Sequence, residues 1–97
     1  MLVDAGPALQ EARLTKTERE IGLLRRAAAI GDIGHNALAE LCRHAGSTEF
    51  EMWAELTSRM YHAAGHEIPI VGELVTGPRT SVVEYPAGPR ERITHAG

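Results

Sequence analysis

Five histidines and one cysteine are the residues of this chain best able to act as ligands or nucleophiles, and their spacing decides what each can do. His62 and His66 stand four apart, the separation that puts two imidazoles on one helix face and, with a third donor, holds zinc. Gly65 lies between them as a helix stop and no third ligand stands nearby, so solvated helix-end histidines are the better reading. Cys42 beside His44 has the types of a nucleophile and its base, but a small thiol on an apolar helical stripe reads as core filling. Arg25 and Arg26 could grip an anion. Consecutive helical residues face different ways, however, and Glu18 or Asp32 is placed to partner them, so a solvated face is expected. The run Gly77-Pro78-Arg79-Thr80-Ser81 is a turn carrying a guanidinium and two hydroxyls, followed by the phenol of Tyr85. Pro78, Pro86 and Pro89 restrict its motion.

Several function classes fall away on composition. At 97 residues the chain has room for one small domain, with 43% apolar and 24% charged residues near globular averages. A net charge of -3 with both signs interspersed gives no footprint for nucleic acid or anionic lipid. No apolar run approaches the roughly 20 residues that span a bilayer, and the N-terminus lacks the basic start and apolar core of a signal peptide. One cysteine cannot form an internal disulfide. A cytoplasmic protein is therefore expected, without nucleic-acid or membrane partners.

The elements that must position these residues are legible from caps and periodicity. Thr17 with Glu20 forms a capping box, and Ile21, Leu24, Ala27, Ala28, Ile30, Gly34, Leu38 and Leu41 recur at helical spacing, so a long helix should run from Thr17 to Gly46. Gly31 and Gly34 cost about 1 kcal/mol each in a helix interior and predict a close neighbour there. A second capping box, Thr48 with Glu51, opens a helix whose buried face is expected to be Phe50, Trp53, Leu56 or Thr57, Met60 and Ala64, ending at Gly65. Beyond it, β-branched residues from Ile70 read as an edge strand turned by Gly77-Pro78. Short extended pieces are expected around Val82-Val83 and Arg92-Ile93. The fold class is thus α+β, two helices followed by a short antiparallel β segment, and exposed edges predict self-association or a homo-oligomer.

With these pieces in order, the run from Arg13 to Gly65 and then from Leu74 to Gly97 resembles the start of the catalytic domain of the creatinase, aminopeptidase P and methionine aminopeptidase family. The residues that carry the likeness are Lys16, Glu20-Ile21, Arg25 and Ala28 on the first helix, Gly46-x-Thr48-Glu49 before the second, and Gly77-Pro78 after the strand. The resemblance implies a partial pita-bread fold over residues 15–97. It casts residues 1–14 as a linker or the end of a preceding domain, with Glu11 to Lys16 similar to that domain's exit strand.

What the resemblance implies for function is a segment of a Xaa-Pro aminopeptidase or dipeptidase-like hydrolase acting on peptide or small amide-like substrates. Two divalent ions, Mn, Co or Zn, would activate water in the complete domain. Their two aspartates, histidine and two glutamates would lie downstream of Gly97, so the isolated chain is expected to hold no metal pair and to be inactive. The loop with Arg79 and Tyr85 would border the substrate. The family's substrate-holding histidine has no counterpart near Tyr85-Pro86, which would put Tyr85 in its place. This departure favours a non-peptidase relative, a creatinase-like C-N hydrolase or a small-osmolyte lyase, as the alternative. A partner-binding module is the third reading.

Overall fold

Helix limits are set here by the side chains at their ends. The computed structural model describes residues 1–83 and 87–95, and it contains α1 (Gly6–Leu14), α2 (Glu18–Leu41), α3 (Glu49–Ala64) and a 3-10 turn at Gly77–Ser81. At the start of α2 the Thr17 hydroxyl accepts from the Glu20 amide at 3.2 Å, while the Glu20 carboxylate accepts from the Thr17 amide at 2.7 Å. Thr48 and Glu51 repeat the arrangement at α3, at 3.1 and 2.7 Å. Both expected capping boxes are present. Gly65 ends α3 in the left-handed region at φ 74°, as its lack of a side chain allows.

Helix α2 stops at Leu41, short of Gly46. The amides of Arg43 and His44 donate to carbonyls only three residues back, a tightening that closes the last turn. Gly46 then turns at φ 107° and its amide leaves the helix altogether, donating to the Thr94 carbonyl at 2.9 Å. Helices α2 and α3 form the packed pair. Their close approach is at Gly34, where a Cβ would stand 2.6 Å from the Met60 sulfur. The neighbour predicted there exists, whereas the space a Cβ would take at Gly31 is open.

The buried apolar side chains are Ala37, Met52, Leu56, Leu74 and Ala87. Met52 takes the place expected for Phe50, which is exposed. The apolar stripe of α2 is likewise covered only along its second half, and Leu23 and Leu24 remain more than half exposed. Length explains it: 24 residues of α2 run ~36 Å, and the 16 of α3 only ~24 Å. Helix α1 buries no residue, and Glu11 to Leu14, expected near an exit strand, belong to it. These free ends stretch the molecule to 59 × 32 × 21 Å.

The largest correction concerns the sheet. The chain is all-α among the described residues, with no strand, and neither the α+β class nor the pita-bread fold is what forms. Residues 70–76 carry no ladder; of their amides, Leu74 donates to the Ala87 carbonyl and Thr76 to a side chain. Among the described residues the sole β bridge is an antiparallel one between Thr48 and Ile93. A ladder needs successive amides facing successive carbonyls, and prolines 69, 78 and 89 have no amide to give. The amides of Thr76 and Arg90 are captured by a carboxylate instead.

Candidate functional site

That carboxylate belongs to Glu49, the first residue of α3, and it is 0% exposed. The Thr48 cap fixes the start of the helix, and the backbone around it is tied to the C-terminal segment. The Glu49 amide donates to the Arg92 carbonyl at 3.1 Å, and Thr94 donates to the Ser47 carbonyl through its amide at 2.9 Å and its hydroxyl at 3.0 Å. From this position the Glu49 side chain reaches the loop. Its Oε1 accepts from the Thr76 amide at 2.7 Å and the Thr76 hydroxyl at 2.8 Å; its Oε2 accepts from Arg79 Nη1 at 2.6 Å and the Arg90 amide at 2.8 Å. Arg79 goes on to donate from Nη2 to the Gly88 carbonyl at 2.9 Å. One carboxylate thus joins residues 76, 79 and 90 to the start of α3.

Electrostatics explain why a carboxylate survives there. Burial pushes the Glu49 carboxyl upward, but the Thr76 hydroxyl, the amides of Arg90 and Thr76 and the Arg79 charge together hold it below its ordinary value. The N-terminal end of α3 adds a favourable dipole. Gly77 lies at φ 57°, which favours glycine, and the Arg92 guanidinium rests in the space a Cβ would take. The hydroxyls of Thr80 and Ser81 turn back on their own loop, donating to the carbonyls of Gly77 and Pro78 at 2.7 Å each.

Of the residues singled out for chemistry, Arg79 is half of the buried ion pair, with its side chain 17% exposed. Tyr85 lies outside the described residues. Cys42 is exposed at the end of α2, which corrects its expected place in the core. His62 sits in the last turn of α3 and His66 follows the Gly65 stop, its Nδ1 donating to the Glu67 carbonyl at 2.9 Å. Arg25 and Arg26 are exposed on α2, and neither pairs with Glu18 or Asp32.

The clamp residues Thr76 and Arg90 escaped the sequence reading, and Glu49 entered it only as part of a motif. A signal was available: a second acid directly after a capping threonine, beyond the one the capping box uses, is free to reach elsewhere. The two-metal centre implied by resemblance does not fit the described residues, which contain no group of three histidine, cysteine or acidic side chains able to hold an ion. The buried carboxylate is already filled by four donors. No helix among the described residues is long and apolar enough to cross a membrane. Comparison with protein-family models, with curated proteins and with solved structures finds no match.

Proposed function

We propose that this chain is the scaffold segment of a metal-dependent hydrolase similar to the Xaa-Pro aminopeptidases and dipeptidases, with the metal ligands supplied by other residues. Its task in that reading is to hold the loop containing Arg79 in place at the edge of a substrate site for peptides or small amides. The observation that supports this is the Glu49 clamp. It joins two of the pieces on which the resemblance rests, Gly46-x-Thr48-Glu49 and Gly77-Pro78, and gives each residue a physical task. Thr48 caps, Glu49 reaches the loop, and Gly77 takes the left-handed turn. A loop so fixed is preorganised, which is what positioning a substrate requires.

The test is to express the complete reading frame that encodes this chain and assay Xaa-Pro peptides with manganese or cobalt, with and without a chelator. Chelator-sensitive cleavage by the complete product, and none by these 97 residues alone, is expected. A complete product without metal-dependent hydrolysis of any amide overturns the reading, as does hydrolysis by the 97 residues themselves.

A further inference from the structure

Away from the clamp, a cleft of about 170 Å³ lies between α2, α3 and the extended run at 70–74. Leu38, Leu56, Met60 and Ile70 line it together with Trp53, the chain's only tryptophan. An enclosed apolar cavity of roughly 150 Å³ is large enough to take benzene, so the space suits a single small ring. It is kept open by a missing side chain: a Cβ on Gly72 would stand 3.1 Å from the Trp53 ring.

The polar side chains of the lining are those of His35, Trp53 and Glu73. His35 Nδ1 lies 2.9 Å from the Gly31 carbonyl. A carbonyl can only accept, so Nδ1 carries a proton and donates to it. Glu73 adds a carboxylate, exposed and without a hydrogen-bond or ion-pair partner among the described residues. Of the side chains that line the cleft, the carboxylate is the one that brings no N–H of its own. The Trp53 face is also a favourable surface for a cation.

We infer that this cleft binds a small primary amine with a compact apolar body, its ring against Trp53 and its ammonium donating to Glu73. The inference is independent of the hydrolase reading, and its test uses no hydrolytic assay. Benzylamine, benzyl alcohol and benzoate share a ring and differ in the polar group, so each is titrated into the chain while Trp53 fluorescence is followed.

Benzylamine should saturate in the millimolar range, with benzyl alcohol about five-fold weaker and benzoate weakest, the margin expected of an ion pair open to solvent. Glu73→Gln should abolish the preference of amine over alcohol. Gly72→Ala should weaken all three ligands, because its methyl enters beside the ring. Both are exposed positions, and circular dichroism confirms that each variant folds. Equal binding of the three ligands, a preference that survives Glu73→Gln, or no saturable benzylamine signal overturns the inference.

Discussion

The two ends of the helical pair are built on opposite terms. At one, the start of α3, a single buried carboxylate and a few backbone bonds fix residues 76, 79, 90, 92 and 94 against residues 46–49. At the other, α1 and the first half of α2 carry leucines that stay more than half exposed, on helices held by their own hydrogen bonds and one capping box. The apolar end is the looser one. Apolar residues stabilise only when another surface removes them from water, whereas polar groups in the right geometry hold a loop that has little core of its own.

The largest effect should come from halving the ion pair. Arg79→Ala leaves Glu49 charged and buried with its partner gone, which typically costs about 3–5 kcal/mol, a large part of the stability of a small domain. Urea unfolding followed by circular dichroism should show the α3 and loop signal lost at much lower denaturant. A loss under about 1 kcal/mol would mean that the two amides and the Thr76 hydroxyl suffice to hold the carboxylate, and the contrast between the two ends would not rest on the ion pair.

The two ends were also unequally legible in the sequence. Caps declare themselves locally: Thr17, Glu20, Thr48, Glu51 and Gly65 do in the structure what their types and spacing predict. The stripe of α2 is legible as a periodicity, but how much of it is covered is not, because spacing along one helix says nothing of how long its neighbour is. The supposed strand shows the same limit. The residues from Ile70 have β-branched character, but a strand is defined by a partner, and the partner of Thr76 and Arg90 is a side chain distant in sequence. At the site, Arg79 was singled out for binding substrate, while its contact with Glu49 depends on tertiary folding that no local pattern encodes.

A smaller effect is expected from acid. Because the folded Glu49 carboxyl lies below its ordinary value of 4.5, its contribution is fully present above that value and is lost as pH falls through the lower folded value. Protonation weakens the bond to Arg79 yet leaves a group that still fills the site, so the loss should be less than that of Arg79→Ala. Glu20 and Glu51 are also lowered, each chiefly by the backbone amide of its capping threonine, and they add to the same acid slope. Stability between pH 5 and pH 3 should therefore fall less steeply in Glu49→Gln than in the parent, after allowing for the lower starting stability of the variant. Parallel slopes would show that the other lowered carboxyls, those of Glu20, Glu51 and the Arg59-bonded Glu40, set the acid response and the clamp does not.

The finest comparison removes the same chemical group from each end. Thr17→Ala and Thr48→Ala each delete one capping hydroxyl, and by its chemistry alone each should cost about 1 kcal/mol. Their reach should differ. Thr48 directly precedes the residue that holds the loop, and its neighbours Ser47 and Glu49 carry the bonds to Thr94 and Arg92, so a frayed first turn of α3 moves the carboxylate with it. Thr48→Ala should therefore speed hydrogen exchange at the Thr76 and Arg90 amides as well as at the start of α3. Thr17 opens a stretch of helix that packs on nothing described, so Thr17→Ala should speed exchange only within the first turns of α2. Amide exchange followed by nuclear magnetic resonance separates the cases. Faster exchange at Thr76 in the Thr17 variant would mean that α2 transmits fraying along its length into the clamp, and the two ends would then be one cooperative unit.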